Sequence, residues 1–152
     1  NELKKYGLDN EESDKVKVIY VPIYIGQDII FSLPKEKLLP GFDLGIFLSR
    51  YEPFGYTALE SLYFGVPIVL SNRTGFALSL ENSGIKSDYI LLVDVKNIDR
   101  EEERIIEFIK KISMLTPSEF MKVREELYNI SKTYDWSIRI KEYISLYEDE
   151  ES

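Results

Sequence analysis

Residues 43–60 read DLGIFLSRYEPFGYTALE. The run 43–48 is apolar and strand-like. Pro53 and Gly55 then bend the chain, and 55–64 reads as a helix that stops at Gly65. Strand, bend and helix in so short a space is the unit from which parallel α/β sheets are built. The pattern repeats downstream. Residues 66–70 (VPIVL) predict a strand, 71–75 (SNRTG) a loop, and 77–82 a helix ended near Gly84. Residues 89–93 (YILLV) predict another strand. Upstream, 16–21 (VKVIYV) is β-branched and stops at Pro22, which also predicts a strand. Residues 22–34 fit no single pattern, and 35–39 predict a short helix ended by Pro40-Gly41. Short, nearly all-apolar strands alternating with helices imply a Rossmann-like parallel sheet covered on both faces. Such sheets bind ligands in the crevice at the carboxyl ends of their strands.

The pattern changes after residue 98. Ile105, Ile106, Phe108, Ile109 and Ile112 recur at helical spacing. Thr116-Pro117-Ser118-Glu119 supplies the start of a second helix that runs to about 132. A third follows Tyr134-Asp135-Trp136, with Trp136 expected as a core anchor at its start. The chain thus reads as one partial domain. Residues 16–98 form its α/β part, 99–147 its C-terminal helices, and 148–152 an acidic tail expected to be disordered.

Composition narrows the chemistry. The chain has 152 residues, no cysteine and no histidine. Disulfides, thiolates and imidazole bases are excluded, so acid, base and charge-stabilising roles fall to Asp, Glu, Lys, Arg or Tyr. The net charge of −8 argues against broad nucleic-acid binding. No apolar run is long enough to span a membrane.

Glu52 follows the predicted strand directly and so falls at the crevice. Gly55 lets backbone come close to a ligand there. The helix beginning near Gly55, Tyr56 and Thr57 offers free N–H groups and a positive dipole end, which suit a phosphate. Glu60 lies one helical turn beyond Tyr56, and a carboxylate there suits vicinal hydroxyls such as a ribose. The spacing therefore describes a sugar nucleotide: diphosphate on the helix start, ribose on Glu60, transferred sugar near Glu52. On spacing alone, a second reading stays open, in which Glu52 caps the helix and Glu60 is solvated.

EPFGYTALE resembles the E-x7-E signature of retaining GT-B glycosyltransferases. The block DLGIFLSRYEPFGYTALESLYFGVPIVLSNRTGFALSLE (43–81) resembles glycogen synthases of the eukaryotic type, glycosyltransferase family 3. VKVIYVP, DYILLVD and YDWSIRIKEYISLY extend the similarity over nearly the whole chain. The resemblance implies an incomplete C-terminal domain of a GT-B enzyme. That enzyme moves glucose from UDP-glucose to the 4-hydroxyl of a glycogen or other α-glucan chain, with retention and without metal or other cofactor. It implies that Glu52 is the catalytic carboxylate near the donor glucose and that Glu60 binds the donor ribose. Gly55, Tyr56 and Thr57 match the diphosphate cradle, with Phe54 beside them. Asn72, Thr74 and Gly75 match a loop lining the sugar pocket. A cytoplasmic location is implied, and a homo-oligomer is left open.

The match departs from the family in three places. No first strand–helix unit with its phosphate-neutralising Arg and Lys is recognisable, nor is the acceptor-binding N-terminal domain. In the strand order 3-2-1-4-5-6, residues 16–21 would be strand 3 and 43–48 strand 4, which leaves an open edge beside 43–48. Lys35 stands where the family usually has a tyrosine on the uracil, with Phe31 as the nearby aromatic. Only Lys122, Arg124 and Lys132 stand in the region of the family's glucose 6-phosphate arginine cluster, so no such regulation is expected. Two alternatives differ in class: another retaining GT-B transferase of trehalose or glycolipid type, and a non-catalytic nucleotide-sugar-binding module.

Overall fold

The computed structural model describes residues 3–23 and 30–149. The chain divides into two compact units, Asn1–Leu38 and Leu39–Ser152.

In the first unit a 3-10 turn, Leu3–Tyr6, is closed by Gly7 at φ 65°. The strand expected at 16–21 does not form. A strand needs a ladder, and the described part of this unit contains no second extended segment paired with it. A side chain takes that place. The Val18 N–H donates to Asn10 Oδ1 (2.7 Å), and Asn10 Nδ2 donates to the Val18 carbonyl (2.8 Å). One amide thus imitates one rung of a sheet and goes no further. Val16, Ile19 and Tyr20 stay exposed. A short helix, α1 (Lys35–Leu38), forms where the sequence predicts one.

The second unit holds the sheet. A 3-10 turn, Leu39–Gly41, leads to β1 (Gly45–Phe47), α2 (Tyr56–Tyr63), β2 (Ile68–Ser71), α3 (Gly75–Asn82) and β3 (Ile90–Val93). The helices α4 (Glu102–Ser113), α5 (Pro117–Lys132) and α6 (Trp136–Asp149) follow. The strands are parallel in the order β1-β2-β3, with Ile46 opposite Val69 and Val69 opposite Leu91.

All four residues of β2 are buried, because both of its faces are covered. Ile68 and Leu70 pack with Ala58, Leu62, Phe76, Ala77 and Leu127 from α2, α3 and α5. Val69 points the other way, to Val93 and to Phe108 and Ile112 of α4. Burial of one such aliphatic side chain is worth about 1.5–3 kcal/mol. The strand starts later than its apolar run suggests. The Val66 N–H is spent on the Ser61 carbonyl at the end of α2, and Pro67 has no N–H to give.

Among the described residues β1 pairs only with β2, and Ile46 is 48% exposed. The open edge lies beside β1, where the order 3-2-1-4-5-6 would leave it. α5 begins with a capping box: Thr116 Oγ1 accepts from the Glu119 N–H, and the Glu119 carboxylate accepts from the Thr116 N–H (2.8 Å). It packs on α2 where Gly65, at φ 70°, leaves room; a Cβ there would lie 2.7 Å from Arg124 Cβ. Arg124 donates to the carbonyls of Phe64 (2.9 Å) and Pro40 (2.7 Å), so it staples the end of α2 to the turn before β1. α6 runs on through Glu148 to Asp149, so the first part of the expected disordered tail is helical; residues 150–152 lie outside the described residues.

Candidate functional site

The loops that leave the carboxyl ends of β1 and β2 are zipped together by backbone. The Glu52 N–H donates to the Arg73 carbonyl (3.4 Å), Gly75 to Glu52 (3.2 Å), and Phe76 to Phe54 (2.7 Å). The ladder thus reaches past the strands to a parallel bridge between Glu52 and Thr74. The approach is so close that a Cβ on Gly75 would sit 2.2 Å from the Pro53 carbonyl oxygen. Only glycine fits there without moving one of the loops.

This zipper fixes the predicted bend. Gly55 is the N-cap residue of α2, with φ 106° and ψ 56°, a conformation that L side chains rarely adopt. No side chain caps α2. Among the described residues no first-turn N–H of α2 is hydrogen-bonded to Glu52, whose carboxylate instead lies beside the helix start, near enough to feel its dipole. The Glu52 carboxylate is half-buried, accepts from Ser49 Oγ (3.3 Å), and stands 3.6 Å from the position a Cβ on Gly55 would take. A carboxylate and a positive helix end thus lie side by side.

The other predicted residues fall around this pair. Tyr56 and Thr57 are exposed on the first turn of α2. Phe54 is half-buried, its ring between those of Tyr56 (centroids 4.9 Å) and Phe76 (5.7 Å). Glu60 is partly exposed one turn further on, while Ala58, Ser61 and Leu62 take the core side. Asn72 ties the β2 loop to β3 through its N–H on the Val93 carbonyl (2.9 Å). Its Oδ1 is buried with no hydrogen-bond partner among the described residues. Thr74 is buried, and its hydroxyl is committed: it accepts from the Ala77 N–H to cap α3 and donates to the Ser71 carbonyl. What Thr74 contributes is the shape of the loop.

Sequence reasoning passed over Asp94, the first residue after β3. Its carboxylate accepts from Asn97 Nδ2 (2.7 Å) and the Lys96 N–H (3.1 Å). Those bonds, Asn97 first, hold its pKa below the ordinary carboxylate value, with a smaller contribution from the Arg73 charge. An acid directly after an apolar strand was the available signal. Trp136 departs from expectation. It starts α6 but is 65% exposed, its ring against Tyr143 (5.7 Å). The anchor at this junction is the half-buried Tyr134, edge-on to Phe76 and packed against the core cluster. Arg124 is already engaged by backbone carbonyls.

A cleft of about 970 Å³ lies along β3, lined among others by Ile85, Tyr89, Leu92, Arg104 and Glu126. It contains none of the predicted site residues. Among the described residues no cluster of three or more acids could hold a metal, and no helix is long and apolar enough to cross a membrane.

A profile of the glycogen synthase family matches residues 1–148. The chain is 30% identical over 151 residues to glycogen [starch] synthase isoform 1 of Saccharomyces cerevisiae, covering 95% of this chain and 21% of that protein. It is 27% identical over 149 residues to glycogen [starch] synthase of Neurospora crassa, with the same 95% and 21% coverage. It is 35% identical over 80 residues to the human liver glycogen [starch] synthase, covering 52% of this chain and 11% of that protein. The chain spans about a fifth of the length of the first curated relatives it matches.

Proposed function

The chain belongs to the glycogen synthase family, and from that membership we propose that its 52–75 crevice is the donor half of a glucosyltransferase site. The reaction is transfer of glucose from UDP-glucose to the 4-hydroxyl of a growing α-1,4-glucan, with retention. The observation that carries the reading is the uncapped start of α2 beside the Glu52 carboxylate. A diphosphate seated on the Tyr56 and Thr57 N–H groups would have its charge matched by the helix dipole. The anomeric carbon would then face Glu52. As the bond to the diphosphate breaks and its electron pair leaves with UDP, positive charge grows on the sugar ring. A carboxylate fixed nearby stabilises that charge. The glucan O4 forms the new bond on the face the diphosphate leaves, and its hydroxyl proton passes to the departing diphosphate oxygen. Glu60 takes the ribose hydroxyls, and Asn72 Oδ1 is an acceptor for a hydroxyl of the sugar. The remaining phosphate cations and the acceptor site belong to parts of the protein outside this chain, and we place the activity in the cytoplasm.

The test is a kinetic split in the full-length protein. Glu52→Ala should lower kcat by about 10²–10³-fold with little change in donor affinity. Glu60→Ala should weaken UDP-glucose binding about tenfold. Unchanged donor affinity in Glu60→Ala would contradict the ribose assignment.

A further inference from the structure

The geometry points to Tyr134 as a positioning residue for the Glu52–Gly55 bend, acting through Phe76 and Phe54; this rests on the donor-site reading above. Four aromatic rings form a continuous train through the second unit. The ring of Tyr134 meets Phe76 edge-on at 5.1 Å, Phe76 meets Phe54 at 5.7 Å, and Phe54 meets Tyr56 at 4.9 Å. Phe76 is fully buried, and its N–H is the donor that holds the Phe54 carbonyl at 2.7 Å. Phe54 stands between the carboxylate-bearing Glu52 and the left-handed Gly55. Any shift of Phe76 is therefore passed both by ring contact and by a hydrogen bond to the segment that sets the carboxylate and the helix start. Packed rings transmit such shifts because protein interiors have little free volume.

Tyr134 fixes the far end of this train. It lies in the short connection between α5 and α6, and the Arg139 guanidinium from the first turn of α6 stacks on its ring at 4.9 Å. The ring is thus held between α6 and Phe76. Its hydroxyl is buried with no hydrogen-bond partner among the described residues. The contacts that position this residue are those of its ring, to Phe76 and to Arg139.

Two variants and a control separate positioning from plain stability in the full-length protein. Tyr134→Phe keeps the ring and should leave kcat within about twofold. Tyr134→Leu keeps apolar volume but loses the ring edge and the cation contact. It should lower kcat about tenfold while the UDP dissociation constant changes less than threefold, because misplaced reacting groups cost rate before affinity. Leu127→Ala, in the same core cluster but outside the train, should lower Tm at least as much and leave kcat near wild type. A structural readout stands apart from the donor-site reading: the amide resonances of Gly55 and Gly75 should move in Tyr134→Leu and stay in Leu127→Ala. Still amides in Tyr134→Leu, or a kcat that follows Tm alike in both variants, would overturn the proposal. Moved amides with no effect of Glu60→Ala on donor binding would keep the positioning and discard the donor assignment.

Discussion

Residues 16–21 (VKVIYV) and 43–48 (DLGIFL) are two six-residue apolar runs of similar strand character, and they end differently. The second supplies β1, locked in register to a fully buried β2. Among the described residues the first finds no strand to pair with: the side-chain amide of Asn10 takes the N–H and carbonyl of Val18, and Val16, Ile19 and Tyr20 stay exposed. β-propensity describes a fit to a pleated, half-buried surface, so a run without such a surface remains without a ladder. The same contrast separates the carboxyl end of the sheet, where backbone bonds weld two loops, from residues 16–21, where among the described residues a side-chain amide takes the place of a strand partner.

Predictions that break the contrast begin at the weld. Gly75→Ala should cost about 3 kcal/mol or more, since its Cβ would fall at 2.2 Å from a backbone carbonyl that is itself held in place. Urea unfolding measures it, and a loss under 1 kcal/mol would mean the loops separate easily. Gly55→Ala meets only ordinary contacts, Thr74 Cβ at 3.5 Å and Glu52 Oε2 at 3.6 Å. Its cost is the φ of 106° alone, about 1–2 kcal/mol. Thr116→Ala removes the cap of α5 and should cost about 1 kcal/mol in the same measurement.

Acid sharpens that last case. Glu119 is held below its ordinary pKa, first by the Thr116 hydroxyl and then by the Thr116 N–H. A depressed carboxylate adds stability above its unfolded pKa and loses it as pH falls through the folded one. Wild type should therefore lose stability more than Thr116→Ala as pH drops below about 4; parallel acid curves would contradict the cap. The smallest effect is expected at Asn10→Gly, under about 1 kcal/mol, because glycine keeps the φ of 65° at this position and only two exposed hydrogen bonds are lost. A larger loss would show that the first unit depends on this one amide.

Much of the second unit was legible because its signals are local. The bend at Pro53 and Gly55, the stop at Gly65 and the Thr116–Glu119 start each act within a turn or two of chain, and each element appears where they place it. The late start of β2 was not, because it depends on which N–H the end of α2 consumes. At the candidate site, the placement of Glu52 and Gly55 at the bend after β1 was legible from spacing. The commitment of the Thr74 hydroxyl to α3, the steric demand on Gly75 and the ring train from Tyr134 to Phe54 were not. The Gly75 clash and the ring train depend on contacts between segments far apart in sequence, as does the exposure of Trp136, whose apolar neighbours suggested a core position; the Thr74 cap is local, with both partners three residues away, and was hidden only by assigning that hydroxyl to the sugar pocket.

The account rests on the start of α2 being where a donor diphosphate sits. UDP titrated into the isotope-labelled full-length protein tests this directly. The account predicts saturable shifts of the Gly55, Tyr56 and Thr57 amides that weaken in Glu60→Ala. Shifts confined to the cleft along β3, with the Gly55–Thr57 amides unmoved, would contradict it.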